Sequence, residues 1–296
     1  MALLRGWLVP LFYCVGDVTF SHVTLARNRA GLGGALCVRS GSLALRNCTV
    51  VWNRAEKDGG GGGGGIGSFQ RGSAKITVID SIIANNSNSG YFAGGGISNE
   101  NGHLEVINST ISENTALRGG GIASGTGPPE PGRPATMLIL NSTLSGNQGE
   151  TGGAIFNQGN IDLINSTLSG NIAENLINVT MVMNTSEEAN GSGGVYHDEP
   201  AGASIMTISN SIIAGNSGDV NGGEDQGVFF SGGSNFIGVD DSETGVFTAA
   251  GDRTFATTGT TLSEIIFPVL ADNGGPTRTH ALAVGSLLIN AGTNAD

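Results

Sequence analysis

Charge is scarce in this chain, and positive charge is the scarcest. Charged residues make up 13% of the 296, with 13 Lys+Arg against 25 Asp+Glu and a formal net charge of −12. Ordinary globular domains carry about twice that charged fraction, roughly 25%. The deficit of clustered Lys and Arg argues against nucleic acid as a partner. The little positive charge sits early: residues 1–75 carry a net +6 and residues 76–296 a net −18. Aromatic residues are only 5%, so a compact aromatic core is not expected. The three cysteines, Cys14, Cys37 and Cys48, are too few and odd in number for a disulfide framework. There is no His-x-x-x-His or Cys-x-x-Cys to hold zinc. No run of 18 apolar residues exists, so no transmembrane helix is expected. Residues 1–16 (MALLRGWLVPLFYCVG) hold a short apolar run and one Arg, without an A-x-A-like cleavage site. They read as a signal segment or an N-terminal cap.

What is abundant is glycine, 51 residues, and asparagine, 27, together about a quarter of the chain. With 38% hydrophobic residues recurring throughout, this is not the composition of a disordered chain. The two residue types are organised by an internal repeat. One phrase reads Ile107-Asn108-Ser109-Thr110-Ile111-Ser112-Glu113-Asn114 and returns at Leu140–Asn147 and Ile164–Asn171. Looser copies run from Asn47 to Asn53, Asp80 to Asn86 and Asn210 to Asn216, and the earliest from His22 to Asn28. A basic unit of about 24–25 residues with insertions accounts for the spacing of the closing asparagines. Between copies stands a Gly-Gly-Gly-Ile or Gly-Gly-Ala-Ile phrase, as at 94–97, 119–122 and 152–155.

Leu104, Val106 and Asn108 alternate with Glu105 and Ile107, the period of a strand, and no segment carries a useful helical stripe. Short strands joined by Gly and Asn corners make one coil of a solenoid. The fold expected is therefore all-β: a right-handed parallel β-helix (pectate-lyase-like solenoid) of about seven to nine coils with a C-terminal cap. Residues 17–245 would hold the repeats and 246–296 the last coil and cap. Coils spaced by about 4.8 Å would stack equivalent amides. Two buried asparagine ladders are expected: Asn47, Asn108, Asn141, Asn165 and Asn210 at the opening position, and Asn53, Asn86, Asn114, Asn147, Asn171 and Asn216 at the closing one. On that reading the Asn-x-Ser/Thr matches at 47, 108, 141 and 165 are structural, not glycosylation acceptors. Insertions at 54–65, 87–93 and 172–192 all leave after a closing Asn, and would either wall a groove or be tolerated decoration.

The Asn-Ser-Thr-Ile-Ser-Gly-Asn and Gly-Gly-Gly-Ile phrases resemble those of bacterial surface right-handed parallel β-helix proteins. The tail Leu270–Leu282 with Ile289–Gly292 is similar to the choice-of-anchor Q family. The resemblance implies export and attachment to the cell wall or membrane. Gly152-Gly153-Ala154-Ile155 is also similar to polymorphic outer membrane protein repeats, but the companion Phe-x-x-Asn is missing.

Candidate chemistry is thin. Asp219, Glu224 and Asp225 could supply oxygen ligands to Ca²⁺, or could simply be a solvated acidic loop. Asp80 and His22 occupy the opening ladder position, and His197-Asp198-Glu199 sits in the longest insertion. Thr110, Thr143 and Thr167 would stack as a hydroxyl row, the pattern of an ice-binding face. No catalytic residue is assigned, and no cofactor beyond Ca²⁺. The function expected is an exported or cell-surface protein, monomeric, with a structural, adhesive or carbohydrate-binding role. The alternative is a carbohydrate-active enzyme, a polysaccharide lyase or hydrolase, working in an insertion-walled groove. Against an acidic polysaccharide stands the count that only Arg118 and Arg133 are basic between residues 76 and 252.

Overall fold

The computed structural model describes residues 12–56, 62–68, 74–90, 94–125, 134–173, 194–197, 205–221, 228–239 and 247–293, with the backbone of 3–4 and 7–8. Every pairing between its named strands is parallel, and all but two run in unbroken register (the exceptions shift by one residue, at Cys14/Val15 and Ile208/Ser209), in the stacked arrangement of a parallel β-solenoid. A ten-stranded sheet, called the lateral sheet below, contains Thr110–Ser112, Thr143–Ser145 and Thr167–Ser169. An eight-stranded sheet contains His103–Ile107, Thr136–Leu140 and Asn160–Ile164, and a second eight-stranded sheet Ile97–Asn99, Ile122–Ser124 and Ile155–Asn157. Alternation decides which side chains go in. In His103–Ile107, Leu104 and Val106 are fully buried while their neighbours are not. Register then stacks Leu104 on Met137 and Ile161, and Ile111 on Leu144, Leu168 and Ile213. A continuous aliphatic core, from Cys14 and Leu25 to Ile237 and Phe247, replaces the absent aromatic one.

The glycine phrase has a steric cause. A Cβ on Gly64 would stand 2.1 Å from the Gly95 carbonyl oxygen, and one on Gly95 2.2 Å from that of Gly120. Successive coils approach too closely there for any side chain.

The two asparagine rows behave differently. The closing row is a buried ladder. Asn86 donates its backbone N–H (2.9 Å) and Nδ2 (3.0 Å) to Asn114 Oδ1, and Asn114 does the same to Asn147 Oδ1 (3.1 and 3.0 Å). The pattern runs unbroken from Asn28 to Asn216. Each Nδ2 of the ladder's interior also reaches a backbone carbonyl of another coil, as Asn114 does to Ile83 O at 2.9 Å. Buried amides in the ladder's interior are thereby satisfied, while Asn28 Oδ1 at its head has no partner among the described residues.

The opening row is not a buried ladder, and that expectation is corrected. Asn47, Asn141 and Asn165 are exposed, and Asn108 and Asn210 only half-buried. These residues stack, but what they supply is backbone conformation: φ is +49 to +51° at all five, and +49° at Asp80. Asn and Asp tolerate this left-handed corner better than other side chains. The side chain that turns inward is the next one. Ser81, Ser109, Ser142, Ser166 and Ser211 are buried. Ser142 Oγ donates to Leu140 O (2.8 Å) and accepts the N–H of Ser109 (3.1 Å), and its own N–H reaches Ser166 Oγ (3.1 Å). A serine ladder therefore runs where an asparagine ladder was expected, with Cys48 in the same place one coil before Ser81.

The C-terminal region divides in two. Arg253–Thr254 adds the last strand of the lateral sheet, and short helices at Phe255–Thr258 and Leu262–Ile265 cover that end, packing Ile265 and Ile266 against Phe236 and Ala214. Residues 266–293 are no end cap. They return along the outer face of the lateral sheet as a strap of two antiparallel arms, bridged at Ile266–Leu282 and Ala271–Thr279. Thr110 Oγ1 donates to Arg278 O at 2.6 Å, Thr277 Oγ1 to Asn108 O at 3.3 Å, and Asn210 Nδ2 to Thr293 O at 2.8 Å. Thr110, bonded to the strap, and Thr143 are buried, so the threonine row is not an open hydroxyl face. Small, half-polar outward residues (Ser112, Ser145, Ser169, Ala84) make that face able to accept a covering chain.

Candidate functional site

The left-handed residue before each closing asparagine builds a second ridge: Arg27, Trp52, Asn85, Glu113, Gly146, Gly170 and Gly215. Here the coil turns at φ between +54 and +77°. Glycine takes this conformation freely and Asn with little cost, but a bulky side chain there is an outlier. Trp52 nonetheless holds φ +54° with 55% of its surface exposed. Arg27, one coil earlier, lays its guanidinium 5.4 Å from the centre of the Trp52 ring.

Between this ridge and the strap lies a cleft of about 740 Å³, within the usual range for ligand sites. Trp52, Asn85 and Glu113 form one wall, and Pro268, Val269, Leu270 and Arg278 the other. Thr110, Ser112, Ser145, Val51, Ile82 and Ala84 make the floor. Gly146 and Gly170 keep its lower half shallow-walled, and a Cβ on Gly146 would press on Glu113 at 3.3 Å. Further down, Leu262 seals the row by packing on Gly215. The chemistry on offer is an aromatic plate, hydroxyls, an amide, one carboxylate and one guanidinium. Glu113 is the one carboxylate among the described lining residues, whereas glycoside hydrolysis generally uses a pair.

A Ser–His contact fastens the strap beside the cleft. His280 Nδ1 meets Phe267 O at 2.9 Å and Nε2 meets Ser145 Oγ at 2.9 Å. A carbonyl can only accept, so Nδ1 carries the proton and Nε2 receives the serine hydroxyl's. Burial holds the His280 pKa below its ordinary value, outweighing the opposing bond from Phe267.

Asp219 is buried and already committed. Its Oδ1 accepts from Asn216 N (3.0 Å) and Nδ2 (2.8 Å), and its Oδ2 from Val239 N (2.7 Å). It thus ends the asparagine ladder. Glu224 and Asp225, the other proposed calcium ligands, lie outside the described residues, as do Asp198, Glu199, residues 57–61 of the insertion 54–65 and residues 174–192 of the insertion 172–192. Among the described residues no group of three or more His, Cys, Asp or Glu is arranged for a metal. His197 belongs to a strand, Val195–His197, and is buried beside Asn157 with its ring edge-on to Phe229. Elsewhere, burial pushes the Cys37 thiol up to about 12 and the Glu100 carboxyl to about 8. On the other eight-stranded face, Glu105 is bonded by Lys75, His103 and Thr77. Burial works against its ionisation, but those bonds outweigh it and hold the carboxyl at about 2.

The cleft was not anticipated because its walls come from opposite ends of the chain. One signal was nevertheless visible: a Trp standing where later copies of the phrase have Gly. No helix among the described residues is long and apolar enough to cross a membrane. Comparison with known proteins finds no match among family models, curated proteins or solved structures.

Proposed function

We propose that the protein is an exported, surface-displayed right-handed parallel β-helix that binds glycans in the cleft between the Trp52 ridge and the strap. The handedness follows from the near-universal right-handed crossover between parallel strands, about 98% of cases. The surface role rests on the resemblance of Leu270–Leu282 to the choice-of-anchor Q tail, a segment that forms part of the strap. The observation that carries the binding role is Trp52. An indole held in a backbone conformation that disfavours it and still half in solvent, beside Asn85 and Glu113 and with the Arg27 guanidinium laid over it, is not accounted for by burial in the core. Flat aromatic faces suit the C–H face of a pyranose, and the surrounding amide, carboxylate and hydroxyls suit its O–H groups.

The test is a panel of soluble polysaccharides against the full chain by isothermal calorimetry, with Trp52→Gly alongside. Glycine accepts φ +54° without strain, so folding is kept while the plate is removed. Wild type should bind at least one glycan, and Trp52→Gly should weaken that binding by about tenfold or more. Equal affinity of the two proteins sinks the reading.

A further inference from the structure

Among the described residues neither Arg27 nor Arg278 makes an ion pair with an acidic side chain, although the residues after 75 carry eighteen net negative charges. The ion pairs among the described residues are made by Arg29, Arg54, Lys75 and His103. Arg278 lines the cleft from the strap, and Arg27 lies over the plate that the cleft exposes. In sequence these cations are 251 positions apart, outside the stretch in which basic residues looked too few. The fold-back of the strap sets Arg278 into the cleft wall opposite Trp52, while Arg27 stacks on the Trp52 ring and does not itself line the cleft. An exposed guanidinium with no carboxylate partner, as at Arg278, is free to take an anion, and its planar fork matches a carboxylate in two-point geometry.

We infer that the cleft selects a carboxylated sugar, with Arg278 holding the carboxylate and Trp52 the ring. The inference rests on the glycan-binding reading and sharpens it. Arg27 adds positive potential beside the plate, while Glu113 and Asn85 remain for hydroxyls. Glu113 repels an anion placed deep in the cleft, which sets the carboxylate toward the strap. The Arg278 side chain is exposed, and the strap contact at that residue is made by its backbone carbonyl to Thr110, so replacing the side chain leaves the fastening intact.

Three probes separate the possibilities: polygalacturonate, the same polymer fully methyl-esterified, and a neutral galactan, each titrated against the full chain at low salt. Wild type should bind the free acid about tenfold or more tighter than the ester, the worth of one charge-assisted two-point contact. Arg278→Gln should reduce that ratio to about twofold, and Arg278→Lys should keep part of it. Equal binding of acid and ester by wild type, or an unchanged ratio in Arg278→Gln, overturns the carboxylate assignment while glycan binding stands. If none of the three binds, the carboxylate assignment falls with them. If the broader panel is also empty, the glycan reading itself fails.

Discussion

At the scale of single residues, the two asparagine rows look alike in sequence and do opposite work. An asparagine six positions before the closing one supplies a left-handed φ and faces water, whereas the closing one is a link in a polar chain. Replacing Asn147 by Ala strips the acceptor from two buried donors of Asn114 and removes the Nδ2 that bonds Ile111 O and Asn171 Oδ1, the latter keeping only the backbone N–H of residue 147. At roughly 1–3 kcal/mol for each orphaned group, the loss should be about 3–5 kcal/mol. Asn141→Gly keeps the corner and exposes nothing new, so its effect should stay below about 1 kcal/mol. Urea melts of the two variants decide it, and a costlier Asn141→Gly would return the opening row to the core. The closing ladder also has a direction, with oxygens pointing to earlier coils' donors. Its last member therefore needs a group that only accepts. Asp219 is that group for the asparagines. Asp252 does the same below the serine ladder, accepting Asn235 N (3.0 Å) and Nδ2 (3.1 Å). A carboxylate at a ladder's foot is a stronger reading of Asp219 than a calcium ligand, because both its oxygens are engaged by donors.

At the scale of elements, the strap is held by polar contacts that include one titratable group. His280 is neutral in the closed form, bonded to Phe267 O and Ser145 Oγ, and the charged side chains lining the adjoining cleft are Arg278 and Glu113. Its pKa is lowered on docking. The strap's stability is therefore complete above the free imidazole value of about 6.5 and is lost as pH falls below it, since protons favour the released form. Hydrogen exchange at the Phe267, Ala271, Thr279 and Ala283 amides, corrected for intrinsic rates, should quicken between pH 7.5 and 5.5. His280→Gln should remove that dependence. A flat profile in the wild type would show the contact to be no latch. The strands and their order were legible from the period of two and the recurrence of one phrase, because a solenoid repeats its local chemistry in every coil. The strap was not, because its partners lie some 83 to 169 positions away and recur nowhere. The serine ladder was hidden for a different reason. Asn-Ser-Thr offers three polar side chains in a row, and only the turn geometry at Asn decides which one faces inward.

For the molecule as a whole, a solenoid's coils contact only their neighbours, so cooperativity along the rod depends on whatever ties distant coils together. The core and ladders are nearest-neighbour devices: each Asn bonds the next, and each aliphatic side chain packs on the one above. The strap is different. It touches Asn108 and Thr110 near the middle, Ser145 beyond them, and Asn210 close to the last coil, spanning them in one piece. It also supplies a wall of the cleft, so the same segment couples stability to binding. A chain ending at Ile266 should keep its β-sheet signal in circular dichroism, since the lateral sheet, both eight-stranded sheets and their ladders lie before that point. It should unfold at lower urea with a smaller m-value, because less surface is exposed per event and the coils no longer melt together. Glycan affinity should fall with it, to the level of Trp52→Gly or lower. An unchanged midpoint and slope would mean that the strap lies on the sheet without bracing it, and that the cleft's second wall is dispensable to the fold.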